Sequence, residues 1–377
     1  MSTTHHRGVT KLARPPRIAG EAELRAEVRT FLASYGFTPR CDAWLSGFDA
    51  DFSRALAANG FVGMAIPERY GGRGRTPLER FVVTEELLAA GAPVAAHWIA
   101  DRQTAPLLLR HGTEEQRMRF LPAIAAAECF FAIGMSEPDT GSDLASIRTA
   151  GTAVDGGFAL GGRKIWTSNA QRSHFMMTLC RTSPPGGDRH SGMSQLIVDL
   201  STPGVEIHPV TVLNGRDDFA EVLLDEVFVP DSMVVGELGQ GWGQVISELV
   251  YERGGPERLL STFPLLAELA SQIDTDRGRR ASLGRLVANV AALRQMSRSI
   301  AGALDRGEEP AVQAALVKDA GTRYEQHIAE TARLAGVQGD TFDRLLAESV
   351  LGAPGFTLRG GTNEILRSMV ARGLGLR

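Results

Sequence analysis

The spacing of apolar residues changes character twice along the chain. From about Gly20 to Glu128 the spacing is helical. In "EAELRAEVRTFLASYG", Leu24, Val28, Phe31 and Leu32 recur at steps of three and four, which is one helical face. "DFSRALAANGF" and "PLERFVVTEELLAAG" repeat the pattern, and each ends at a glycine suited to a C-cap. Thr113 and Gln116 open "GTEEQRMRFLPAIAAAE" as a capping box. From Cys129 to Val235 the runs are short and strand-like. "HFMMTLCRT", "SQLIVDL", "VEIHPV" and "AEVLLDEVFVP" are separated by Gly, Pro, Asp or Ser. Asp155-Gly156 marks a hairpin between apolar runs. Helical spacing returns from Gly236 to the end.

This order predicts an arm over 1–20, a helical domain over 21–128, an antiparallel β domain over 129–235 and a helical bundle over 236–377. The class is α+β, outside the alternating βαβ folds. No G-x-G-x-x-G follows a predicted strand, which argues against a Rossmann nicotinamide site.

Composition narrows the function. The 377 residues are 43% apolar and 22% charged, with a formal net charge of −4. No strong positive field draws the chain to nucleic acid or anionic lipid. Cys41, Cys129 and Cys180 fit no zinc spacing, so reduced thiols in a cytoplasm are expected and no metal site. His5 and His6 read as part of a frayed polar arm rather than a metal site. The run "FLPAIAAAECFFAIGM" is interrupted by Pro122 and Glu128, short of the ~20 apolar residues a membrane span needs.

Two stretches carry candidate chemistry. In "SEPDTGSDLASIRT", Asp139, Thr140 and Gly141 form a tight polar turn flanked by the hydroxyls of Ser136 and Ser142. Such a turn offers N–H and O–H groups to a polar ligand, or is an ordinary surface loop. In "KIWTSNA", Trp166 and Ser168 stand two residues apart and share a strand face. Ring and hydroxyl together suit a planar heterocycle; the alternative is a Trp buried in a sheet core.

The chain resembles the acyl-CoA dehydrogenase family over nearly its full length. The resemblance rests on five collinear stretches: "GFVGMAIPERYGGRG", "FFAIGMSEPDTGSDLASIRT", "GRKIWTSNA", "FAEVLLDEVFVPDSMVVGELGQGW" and "GGTNEILRSMVARGLGL". It implies bound FAD at a subunit interface, usually in a homotetramer, and a fold of helical domain, β domain and four-helix bundle. Met135 and Ser136 would line the flavin, and Ser142 would lie near flavin and acyl thioester. Trp166 would cover the ring and Ser168 would reach its N5 edge. Arg280 would reach the FAD of a neighbouring subunit, and Thr362 and Glu364 would contact the flavin. The family's Gln-x-x-Gly-Gly stretch has no clear counterpart in "LAGVQGDTFD". The implied electron acceptor is an electron-transferring flavoprotein.

The implied reaction removes an α-proton and a β-hydride from an acyl thioester on CoA or a carrier protein, and it needs a base. Gly360 stands where the usual C-terminal glutamate would be, leaving only a backbone N–H for the thioester carbonyl. The family's second solution, on the first long helix after the β domain, maps to Glu252. Trp242, Val245, Leu249 and Glu252 fall within roughly 80° of one helical face, so Glu252 is expected on a mainly apolar stripe. There, exclusion of water would raise its pKa. Arg253 would pair with Glu252 or with a ligand phosphate. The plainer reading is a surface pair of Glu248 and Glu252 or a structural salt bridge. Two other functions are weighed: a flavin monooxygenase or oxidase on this fold, and a non-catalytic subunit of a mixed oligomer. Trp98 would line the acyl pocket or fill the core.

Overall fold

The computed structural model describes residues 13–272 and 276–376. His5, His6 and the rest of the first twelve residues of the expected arm lie outside the described residues. Helices come first: α1 (Glu21–Tyr35), α2 (Ala43–Ser46), α3 (Ala50–Ala58), α4 (Pro77–Ala89), α5 (Ala95–Ile99), α6 (Ala105–His111) and α7 (Glu114–Ala125). A π-helical turn, Ala100–Thr104, joins α5 to α6. Strands follow: β1 (Phe131–Gly134), β2 (Ala150–Val154), β3 (Gly157–Ser168), β4 (Phe175–Arg181), β5 (Met193–Asp199), β6 (Val205–Val210), β7 (Phe219–Pro230) and β8 (Val234–Val235). The chain ends in α8 (Gly241–Gly254), α9 (Phe263–Gln272), α10 (Arg277–Asp305), α11 (Ala311–Leu334), α12 (Asp340–Phe356) and α13 (Asn363–Gly373).

Local signals explain several boundaries. The Thr113 hydroxyl accepts from Gln116 N–H, and the Gln116 side chain answers, so α7 starts on a complete capping box. The glycines after α3 and α4 stand one residue later than expected. Asn59 and Ala90 hold the cap positions, and Gly60 and Gly91 follow at φ +80° and +65°. There the left-handed backbone favours glycine.

The strands pair in the order β6-β7-β3-β2-β4-β5-β8. Asp155-Gly156 turns β2 into antiparallel β3, as expected. The sheet is not wholly antiparallel: β1 lies parallel to β4. The loop after β1 and the β2–β3 hairpin together form a crossover that returns the chain in the same direction.

One apolar body fills the space between α6–α7 and the sheet, around Leu108, Phe120, Met176, Ile197 and Val222. A second joins the first helices to the last ones, around Phe52, Trp98, Leu265, Leu286 and Phe342. A third, small cluster of Ile147, Leu179, Met193 and Val245 docks α8 on the sheet. Trp98 therefore belongs to the core, 1% exposed. Cys41, Cys129 and Cys180 are buried free thiols. Among the described residues, no helix is long and apolar enough to cross a membrane.

Candidate active site

Trp166 is held in an unusual way. Between the pairs Lys164↔Val222 and Thr167↔Ala220, Ile165 and Trp166 bulge opposite a single residue. Trp166 takes φ +60°, which costs a bulky residue on the order of 1–3 kcal/mol. Its ring stays 54% exposed, edge-on to Phe219 at 5.8 Å, so it is not a core Trp. Thr167 is buried between Trp166 and the half-buried Ser168, which leaves ring and hydroxyl outward.

The polar turn joins this strand. Ile165 N–H donates to Ser136 O at 2.9 Å, and Lys164 Nζ donates to Met135 O at 3.0 Å. Lys164 is fully buried and is neutralised by Glu137 at 2.9 Å. Glu137 also accepts from Arg148 N–H and Thr149 N–H. A buried, hydrogen-bonded charge pair thus locks Met135 and Ser136 beside Trp166. Ser142 is exposed on the same turn.

The second half of the site forms at the end of α8. Val245 is buried in a cluster with Ala145 and Ile147, against which Trp242, Leu249, Met135 and Leu144 also pack, so the apolar stripe docks on the segment after β1. One turn further, the surroundings of Glu252 are not apolar. Arg258 Nη2 donates to Glu252 Oε1 at 2.9 Å, and Arg258 Nε donates to the Glu252 carbonyl at 2.9 Å. Burial pushes the Glu252 pKa up, but Arg258, Arg102, Arg253 and Lys318 outweigh it and hold the carboxyl below its ordinary value. The expected rise is therefore reversed. Arg253 does not bond Glu252 either; its Nε donates to Gly360 O at 2.9 Å.

Gly360 faces Glu252 directly. A Cβ on Gly360 would lie 3.0 Å from Glu252 Oε1 and 2.9 Å from Arg258 Nη2. Gly360 also takes φ +69°, a conformation that favours glycine. Lys318, fully buried on α11, holds this loop by donating to Thr357 O, Gly361 O and Asn363 Oδ1 at 3.1, 2.8 and 2.8 Å. Burial, with Arg258 and Arg359 nearby, pulls its pKa down to about 7. Thr362 caps α13 and Glu364 is exposed in its first turn, both beside Gly360. Arg280 is exposed on α10 and makes no side-chain hydrogen bond or ion pair among the described residues.

The sequence did not reveal the charges behind Glu252. The π-turn carries Arg102, 4% exposed, onto buried Glu257, and Gln103 towards Glu248. Trp44 lies under three guanidinium groups, those of Arg359, Arg258 and Arg102, at 4.5, 5.1 and 5.5 Å. The available signal was an Asp-Arg-Gln insert in the apolar run "AAHWIADRQTAPLLL". Glu248 is not half of a surface pair: it is 2% exposed and accepts from Gln195 at 3.2 Å.

Burial, with the charge of Glu252 adding to it, raises Glu248 to about 7. The unfolded chain ionises this carboxyl near 4.5, so the folded state binds more protons between 4.5 and 7, and stability falls as pH rises through that window. Glu248→Gln should therefore be near neutral at pH ~5 and stabilising at pH ~8. Urea denaturation at both pH values checks this; equal effects at both would exclude a protonated Glu248.

An exposed ring, an adjoining polar turn and a carboxylate facing a glycine loop together suit a flavin oxidoreductase. The residues fit a bound FAD: the Trp166 face is open, and Thr140 Oγ1 is buried in the turn without a partner among the described residues. Comparison with known proteins agrees. The chain matches the models of the acyl-CoA dehydrogenase N-terminal, middle and C-terminal domains over residues 19–128, 132–227 and 269–375. Acyl-CoA dehydrogenase IpdE1 of Mycobacterium tuberculosis is 33% identical over 86% of this chain and 87% of its own. Acyl-CoA dehydrogenase FadE34 of the same organism is 36% identical over 85% of this chain, which spans only 45% of FadE34. The crystal structure of the ChsE4-ChsE5 complex from Mycobacterium tuberculosis is 28% identical with a TM-score of 0.83, covering 97% of this chain and 99% of that one. The chain belongs to the acyl-CoA dehydrogenase family, and it is an FAD-dependent enzyme of acyl-CoA dehydrogenation.

Proposed function

We propose that this enzyme introduces an α,β double bond into an acyl-CoA, with Glu252 as the base that takes the α-proton. The observation that carries the reading is the 3.0 Å approach of Glu252 Oε1 to the Cβ position of Gly360. A carboxylate from α8 occupies the place that a side chain at residue 360 would fill. Bound FAD would supply the acceptor for the β-hydrogen and its electron pair. Met135, Ser136, Ser142, Trp166, Ser168, Thr362 and Glu364 would hold it, with Arg280 of a neighbouring copy.

Arg258 keeps Glu252 ionised at neutral pH, the form that can accept a proton. The same pairing weakens it as a base, so water exclusion on substrate binding has to offset that pairing. Neither Gly360 N–H nor Gly361 N–H makes a hydrogen bond among the described residues. Both are free to donate to the thioester carbonyl as enolate charge develops. Arg253, bonded to Gly360 O, fixes the loop that carries those donors.

The chain is expected to work as an oligomer, supported by exposed Val350, Leu351 and Leu358 at 40, 42 and 61% on and after α12. An electron-transferring flavoprotein is the proposed electron acceptor. A second reading, a mixed oligomer in which another chain supplies the base, is favoured by the missing carboxylate at Gly360 and by the named complex among the structural relatives. One experiment separates these. Anaerobic mixing of purified FAD-loaded protein with a panel of acyl-CoAs should bleach the flavin and yield enoyl-CoA. Sedimentation should give a mass above 40.5 kDa. No bleaching without a second chain favours the mixed oligomer; rapid oxygen reoxidation with hydroxylated product favours a monooxygenase.

A further inference from the structure

Four guanidinium groups, those of Arg102, Arg253, Arg258 and Arg359, converge behind Glu252. Three have a carboxylate: Glu257 for Arg102, Glu252 for Arg258 and Asp42 for Arg359. Arg253 has none among the described residues; it bonds Gly360 O and lies against Met369 Sδ at 3.4 Å. Among these groups one positive charge is left over. Glu248 and Glu325, raised to about 7 by burial, and Lys318, lowered to about 7, offset only part of it at neutral pH.

Hydrogen bonding is incomplete in the same place. Among the described residues, Arg258 Nη1, Arg102 Nε and Arg359 Nε are buried without a partner, as is Trp98 Nε1. Arg258 is fully buried, and its other nitrogens are engaged with Glu252. A buried N–H left unpaired is costly, and more so when it belongs to a cation. A plain alkyl chain next to Glu252 would leave all of these unmet. A carboxylate carries the missing charge, and its two oxygens can accept singly from Arg258 Nη1 and Arg102 Nε, the free nitrogens of two guanidinium groups.

We propose that the acyl group of the substrate bears a second carboxylate, received by Arg258 and Arg102 above Trp44. The enzyme would then be selective for dicarboxylic acyl thioesters over alkyl ones. Because Arg258 also holds Glu252, the second carboxylate must lie only a few carbons from the α-carbon. The π-turn is the device that makes this site, since an extra residue in the turn re-aims Arg102 while Asp101 anchors it to Gly63 N–H and Arg80. The placement of the acyl group beside Glu252 rests on the dehydrogenase reading above.

The test compares adipyl-CoA with hexanoyl-CoA, and succinyl-CoA with butyryl-CoA, on FAD-loaded enzyme without oxygen. Two charge-assisted hydrogen bonds should favour the carboxylated member of a pair by roughly 10²-fold or more in kcat/KM for bleaching. The double variant Arg102→Leu/Glu257→Gln, which avoids stranding Glu257, should cut that preference at least about tenfold. If the double variant does not fold, the wild-type pairs decide alone. If no thioester bleaches the flavin, the dehydrogenase reading fails, and calorimetric affinities for the same pairs decide. Equal rates and equal affinities within each pair, or a preference for the alkyl member, would overturn the proposal.

Discussion

Glu252→Gln should slow anaerobic flavin bleaching by an acyl-CoA by roughly 10²–10⁴-fold while FAD stays bound. Glutamine matches the side chain in size and keeps an oxygen for Arg258 Nη2, which now donates to Glu252 Oε1 at 2.9 Å. What it loses is the capacity to take a proton. The fold around it should survive, because Arg258 still donates to the residue 252 carbonyl at 2.9 Å. FAD retention should be unaffected, since Trp166, Ser168 and the turn at Met135–Ser136 are held by Lys164 and Glu137 instead. Stopped-flow absorbance of the reconstituted variant reads the effect. A rate equal to wild type would remove Glu252 as the base and redirect attention to Glu248, one helical turn away.

The second large effect concerns stability. Trp44→Ala should lower the free energy of unfolding by about 3–5 kcal/mol, the usual range for deleting a large buried aromatic side chain. Trp44 is 6% exposed and donates from Nε1 to Ser261 Oγ at 3.0 Å. Its ring also shelters Arg102, Arg258 and Arg359, three like charges that repel one another. Removing it opens a void lined by guanidinium groups. Trp44→Phe keeps a ring there and loses the Ser261 bond, so it should cost only about 1 kcal/mol. Chemical denaturation of the FAD-loaded proteins compares them. An Ala variant no less stable than the Phe variant would show that the ring is not a platform for the arginines.

Much of this arrangement is legible along the chain. Leu24, Val28, Phe31 and Leu32 recur at helical spacing and do form the inward face of α1. Asp155-Gly156 does turn β2 into β3. These are short-range effects, set by backbone preference and by which face of one element is apolar. The α8 stripe is legible for the same reason, and it ends at Glu252 as its spacing requires. The parallel pairing of β1 with β4 is not legible, because it depends on a return over more than forty residues and not on any local turn.

The candidate site divides in the same way. Trp166, Ser168, Glu252 and Gly360 can be picked out by residue type and by resemblance, because a ring, a hydroxyl, a carboxylate and its absence are chemical facts of the chain. Their environments cannot. Periodicity placed Glu252 on an apolar stripe, yet its charge state is set by Arg258 from the next turn, Arg102 from the N-terminal helices and Lys318 from α11. Glu248, four residues earlier on the same helix, is surrounded instead by Gln195 and Gln103 and is driven the opposite way. Two identical side chains on one helix thus acquire different acidities, one from arginines of the next turn and of other helices, the other from burial beside Gln195 and Gln103. Sequence by itself determined which chemical groups the chain owns and which face of each helix or strand they share. Only the tertiary structure decided which groups meet, because burial and Coulomb energy depend on distances that the order of residues does not contain.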